Sequence, residues 1–262
     1  MAYVGIPIAI LTMFVAQRIE RRLGPAAAGW FAALPIAFAV AAATIAATSS
    51  ANDASEVALS AAGHIGPMSA YAVAFVWGTT RWGAVRGFCG AVVVYAFASI
   101  AIIPLSGVVR ICVGIVALVL ATAYMRRLPR AVRVGEPASK AQQLLSLSSA
   151  GLVVAVITIA NAFAGPALAG TLGAFPTMST TVALFLAHRV GVRNANSVMG
   201  GLVRSLPVYL AYCLSFAYLV THLALTWSVV LATAVALLAA MATWRRVERR
   251  DISDNGVLYS EP

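Results

Sequence analysis

Apolar stretches of about 18 residues or more recur from one end of this chain to the other, and nothing else in the sequence limits the fold as strongly. A helix of that length crosses about 30 Å of hydrocarbon, whereas a membrane β-strand is near 10 residues with alternating polarity. Only 10% of the 262 residues are charged, and 61% are hydrophobic. Soluble domains carry about 25% charge, so this chain cannot solvate a water-facing surface of its size. Backbone groups in lipid must be paired internally, which leaves helices as the spanning element. The expected fold class is therefore an all-α polytopic membrane protein whose first partner is the lipid bilayer.

Apolar runs between polar breaks place nine spans near 3–17, 25–48, 56–79, 87–104, 108–125, 144–163, 166–187, 197–220 and 223–244. The break at Ser106 and Gly107 is the weakest boundary, and losing it would reverse every later span. Charge supports the count. Arg18, Arg21, Arg22, Arg81, Arg86, Arg126, Arg127, Arg130, Arg133, Lys140, Arg189, Arg193, Arg245, Arg246, Arg249 and Arg250 all fall on one face if there are nine spans. That face must be cytoplasmic, which puts the N-terminus out and the C-terminus in across a cell inner membrane. The other face receives Asn52, Asp53 and Glu56, with Arg110 its one basic residue. The net charge of +10 can also suggest nucleic acid, but short arginine clusters at helix ends are what orientation in a membrane requires, so no nucleic-acid partner is expected. The first run lacks a preceding basic region and a small-residue cleavage site, and reads as a retained helix. Cys89, Cys112 and Cys213 lie in apolar runs without metal spacing and are expected to be buried thiols. Trp30, Trp77, Trp82, Trp227 and Trp244 lie toward span ends, as interfacial anchors do.

Two stretches repeat. Gly24-Pro25-Ala26-Ala27-Ala28-Gly29, ending at Leu34-Pro35, returns as Gly165-Pro166-Ala167-Leu168-Ala169-Gly170, ending at Phe175-Pro176, with one constant offset for both prolines and both outer glycines. Pro67 and Pro207 match at an offset shorter by one position, each three residues after a basic side chain, His64 and Arg204. The repeat divides the chain into a first four-span unit (1–107), a connector span (108–125), a basic cytoplasmic linker (126–143), a second four-span unit (144–250) and a solvated tail (251–262). One connector crossing turns the second unit upside down, the inverted-repeat plan of many secondary transporters. Gly24-Pro25 and Gly165-Pro166 read as helix starts with proline in the first turn.

Pro35 and Pro176 each lie about ten residues into a span, near the bilayer middle at 1.5 Å per residue. Each removes a backbone hydrogen bond and is expected to leave the carbonyl one turn earlier unpaired. Such pairs of interrupted helices mark transporter binding sites, although a plain packing kink is the competing reading. After Pro176 come Thr177, Met178, Ser179, Thr180 and Thr181, whose hydroxyls can face a solute, bond back one turn, or join helices. The copy after Pro35 has no hydroxyl, so the second unit is expected to supply more of any polar site. His64 and Arg204 are ionisable residues within spans, where a charge costs about 2.5 kcal/mol or more. The competing readings are a neutral bonded histidine and a snorkelling arginine. Asn161 reads equally as interhelical glue.

All eight acidic residues fall in loops or tails, so the carboxylate relay of proton-coupled pumps is missing and a cationic solute finds no counter-charge. No metal spacing, nucleotide loop or hydrolase motif occurs, and neither an enzyme nor a cofactor is expected. The expected function is a small secondary transporter or flippase-like carrier for an anionic or neutral solute. Its binding residues would be Pro35, His64, Pro176, Thr177, Ser179, Thr180 and Arg204. The alternative is a non-transporting scaffold or accessory subunit of a cell-envelope or energy-transducing complex, with a homo-oligomer or a membrane partner left open.

Overall fold

The computed structural model describes residues 5–128 and 171–255. Among these residues every regular element is a helix and none is a strand. In chain order the helices are α1 (Gly5–Leu23), α2 (Pro25–Ala32), α3 (Ile36–Thr48), α4 (Ala51–Gly63), α5 (Ile65–Trp82), α6 (Ala84–Ala101) and α7 (Gly107–Arg126), then α8 (Thr177–Arg189), α9 (Val192–Val220) and α10 (Leu225–Asn255). A helical turn at 171–174 precedes α8. Span six, the linker with Lys140, Asn161 and the Gly165-Pro166 helix start lie outside the described residues.

Among the described residues, five helices are long and apolar enough to cross a membrane: α4 running into α5, then α6, α7, α9 and the Leu225–Thr243 part of α10. Their side faces carry exposed Val93, Phe97, Val119, Leu120, Leu237 and Leu238. Such a surface is unfavourable in water and matched by acyl chains. The chain is an α-helical, multi-pass membrane protein.

Local chemistry explains where the helices begin and end. Gly24 closes α1 with its N–H on the Glu20 carbonyl (2.9 Å) and has φ +93°, a value glycine adopts without strain. Pro25 then sits in the first turn of α2, where its missing N–H costs nothing. Ser50 caps α4 by accepting the Asp53 N–H at 3.0 Å, and Asp53 lies in the first turn, where the helix dipole favours a negative charge. The Ser106–Gly107 boundary is present, with α6 ending at Ala101 and α7 beginning at Gly107. Arg110 donates to the carbonyls of Leu105 (2.8 Å) and Ile103, pinning that turn.

α5 and α9 are the central helices. α6 and α7 pack on α5, while α2 and α10 pack on α9. Glycines permit the closest of these approaches: a Cβ at Gly29 would overlap the Val198 backbone, and one at Gly201 the backbone of Ala26 and Trp30. α2 and α9 therefore touch backbone to backbone, as small-residue crossings in membranes allow.

Several expectations change. Trp30 is buried and its indole N–H donates to Thr243 Oγ1 (3.2 Å), so it joins α2 to α10 instead of anchoring at the interface; Trp77, Trp82 and Trp227 are exposed. Cys213 is buried, but Cys89 and Cys112 are exposed on the outer faces of α6 and α7. α10 continues through Asn255, past the expected start of the tail, since continuing the helix keeps the backbone paired. Pro67 and Pro207 do not play matching roles. Pro67 stands in the first turn of α5, after the chain breaks at His64, whereas Pro207 lies inside the unbroken α9.

Candidate functional site

The helical segments around Pro35 and Pro176 are interrupted by the same turn. Pro35 (φ −75°, ψ 33°) and Pro176 (φ −78°, ψ 58°) lie near the inverse γ-turn conformation. In each, the residue after proline donates to the carbonyl of the residue before it: Ile36 to Leu34 and Thr177 to Phe175, both 2.8 Å. The bonds on either side correspond as well. Leu34 N–H meets Phe31 O (3.1 Å) as Phe175 N–H meets Leu172 O (3.2 Å), and Ala39 meets Pro35 O (2.7 Å) as Thr180 meets Pro176 O (2.9 Å). Each of these three backbone bonds around one turn thus has its counterpart around the other, at the spacing that separates Pro35 from Pro176. The expected bare carbonyl is absent at both places. Phe31 O and Leu172 O, which proline deprives of a partner, accept from the residue just before the proline, a tightening of the last turn.

The two breaks are neighbours. A Cβ at Gly173, three residues before Pro176, would rest 3.6 Å from the Phe38 ring, three residues after Pro35. Ser179 Oγ donates to Gly29 O at 3.3 Å, joining α8 to α2.

Aromatic side chains line both breaks. Phe175 packs edge-on against Tyr71 (5.2 Å) and Tyr95 (5.1 Å). The Tyr95 hydroxyl donates to Thr171 O, before the break, at 2.7 Å. The Tyr71 hydroxyl meets Thr180 Oγ1, after the break, also at 2.7 Å. Thr180 directs its own proton to Pro176 O (2.7 Å), so Tyr71 is the donor. At the first break, Phe38 lies against Tyr209 (5.6 Å) and Tyr212 (6.4 Å), and Tyr212 stacks on Phe216 (5.8 Å). Among the described residues neither the Tyr209 nor the Tyr212 hydroxyl finds an oxygen or nitrogen partner, although the residues are only 4% and 1% exposed.

Among the residues picked out from sequence, Pro35, Pro176, Ser179 and Thr180 are buried around the paired breaks, and Thr177 is half-buried there. The hydroxyls of Ser179, Thr180 and Thr181 are bonded within the protein, Thr181 to Thr177 O at 2.9 Å. His64 is buried at the α4–α5 break. Its Nδ1 contacts Ser60 O at 2.7 Å, and because a carbonyl only accepts, that nitrogen carries the proton. Its ring is 6.5 Å from Tyr95. Arg204, on α9, is half-buried and engaged with a partner, and His64 contacts Ser60 and Tyr95.

Tyr71, Tyr95, Tyr209, Tyr212 and Phe38 escaped the sequence reading. A signal for two of them exists: Tyr71 and Phe75 recur as Tyr212 and Phe216 at the same offset as the two prolines, and all four are fully buried. Away from the breaks, Arg189 on α8 pairs with Glu20 on α1 at 2.6 Å, with side chains only 12% and 8% exposed. Burial pushes the Glu20 carboxyl above the ordinary carboxylate value, and the neighbouring Arg189 offsets part of that. No group of three metal-ligating side chains occurs among the described residues. Comparison of the chain with protein-family models, with curated proteins and with solved structures finds no match, so the paired breaks and their tyrosines are the ground on which function is argued.

Proposed function

We propose that this protein is a small secondary transporter or flippase-like carrier of an anionic or neutral solute. In this reading nine spans cross a bacterial inner membrane with the N-terminus outside and the C-terminus inside, as two inverted four-span repeats joined by α7. The observation that carries it is the pair of matched inverse γ-turns at Pro35 and Pro176, brought together where Phe38 meets Gly173. Interrupted helices in corresponding positions of two halves are the usual construction of a transporter site at the bilayer midplane. Irregular backbone at that depth persists only against protein or a wet cavity. The bond from Ser179 to Gly29 and the Glu20–Arg189 pair join elements of different repeats, the contacts that rocking of one half against the other would remake. Pro35, Pro176, Thr177, Ser179 and Thr180 frame the site, with His64 and Arg204 on the adjoining helices.

Two measurements test this. Tag-accessibility mapping should show the chain after Gly24 and the chain after Gly165 crossing the bilayer in opposite directions; the same direction for both removes the inverted repeat. Liposomes containing the purified chain alone should move a solute when organic anions and uncharged polar compounds are screened. Inactivity together with stable co-purification of a membrane partner would replace the carrier with a scaffold.

A further inference from the structure

We infer that the buried hydroxyls of Tyr209 and Tyr212 form the recognition subsite of this carrier, and that it takes an uncharged solute through a hydroxyl or carbonyl oxygen. The inference rests on the carrier reading and narrows its solute class. It begins from an asymmetry between two positions that the repeat makes equivalent. Tyr212 corresponds to Tyr71, and Ala39 to Thr180, at the offset that relates the two prolines. In the second break Tyr71 donates to the Thr180 hydroxyl at 2.7 Å. In the first break the residue at the corresponding sequence position is Ala39, which has no side-chain oxygen, and the Tyr212 hydroxyl has no hydrogen-bond partner among the described residues. An oxygen is therefore supplied by the protein at one break and is missing at the other. The solute oxygen takes the place that Thr180 Oγ1 occupies in the second unit.

Tyr209 extends the subsite. It lies one helical turn before Tyr212, where Cβ atoms of residues three apart are about 5–6 Å from each other. Both rings pack on Phe38, so the two tyrosines reach the break from the same side of α9. The group beside the Tyr209 hydroxyl on its own helix is the Cys213 thiol, a weak hydrogen-bonding partner. A phenol hydroxyl both donates and accepts, which suits hydroxyl and carbonyl oxygens alike. Phe38 and Phe216 supply apolar faces. Leaving two hydroxyls buried without an oxygen or nitrogen partner is unfavourable, and a packed protein keeps such groups where a function uses them.

Cys213 provides a native reporter, being fully buried and next to Tyr212. In the full chain carrying Cys89→Ser and Cys112→Ser, Cys213 is the one remaining thiol. Membrane vesicles are treated with methyl methanethiosulfonate, which is uncharged, or with its sulfonatoethyl analogue, which is anionic. The expected result is labelling by the uncharged reagent at least tenfold faster than by the anion, slowed at least tenfold by Ala39→Thr, which places a hydroxyl where the solute oxygen would sit. Equal or faster labelling by the anion overturns the uncharged class. No labelling by either reagent, or labelling indifferent to Ala39→Thr, overturns the subsite. The second readout needs no reagent: Tyr209→Phe and Tyr212→Phe should leave the melting temperature unchanged or raise it. A fall of several degrees would mean that the hydroxyls are bonded in the folded protein and would end the proposal. Labelling that fails while tags still report opposite orientations removes only the subsite; tags reporting one orientation remove the carrier itself.

Discussion

At Pro176, Tyr71 and Tyr95 reach in from α5 and α6 and bond to groups on both sides of the turn, with the Phe175 ring between them. At Pro35, the same turn is surrounded by Phe38, Tyr209 and Tyr212, which pack closely but contribute no bond from either phenol to an oxygen or nitrogen. The backbone conformation is shared and its support is not. An inverse γ-turn at proline is thus a local solution that either environment tolerates, while the surrounding polar chemistry is free to diverge. Where one break has an internal clasp, the other has two phenol hydroxyls with hydrogen-bonding capacity to spare.

The comparison can be broken or sharpened by substitution. The largest effect is expected at the crossing that holds the first break in place. Gly201→Val drives a side chain into the backbone of Ala26 and Trp30, which cannot give way as a flexible side chain would. The cost should reach about 3 kcal/mol or more, seen as loss of a monodisperse folded species on size-exclusion chromatography. Next comes Tyr95→Phe, which strips a donor from the Thr171 carbonyl and should cost about 1–2 kcal/mol in thermal unfolding. Thr180→Ala makes the second break resemble the first. It should cost about 1 kcal/mol, and it should also make Tyr71→Phe nearly neutral in a double-mutant cycle, since the bond they share is then already gone. Ser179→Ala loses only a long bond of 3.3 Å and should cost about 0.5 kcal/mol.

The smallest effect is a pH dependence away from the breaks. The Glu20 carboxyl is raised by burial above its unfolded value, more than Arg189 lowers it, so the folded state binds this proton more tightly. Its contribution to stability is complete below the unfolded carboxylate range and is lost as pH rises through the raised folded value. Melting temperatures measured from acidic to neutral pH should show that loss in the native chain, and Glu20→Gln should flatten it.

Much of this molecule is legible without coordinates. The Ser106–Gly107 boundary, the helix start at Gly24-Pro25 and the interruptions at Pro35 and Pro176 all follow from what a few neighbouring residues can do with their backbone groups. The site was legible only in outline. The hydroxyls after Pro176 stand out in the sequence because they are dense in an apolar run, yet their bonds are internal. The tyrosines drew no notice, since a tyrosine in a membrane helix is ordinary by type. Only the recurrence of Tyr71 and Phe75 as Tyr212 and Phe216 marked two of them.

By itself the sequence determined the helical class, the lipid-facing exterior and the places where helices stop, because those depend on side-chain transfer into hydrocarbon and on a proline's missing N–H, both local properties. Tertiary structure alone decided which polar groups are satisfied. The Tyr71–Thr180 and Ser179–Gly29 bonds each join residues more than a third of the chain apart. A hydroxyl's partner is whatever oxygen packing brings within about 3 Å, and short-range pattern carries no record of that.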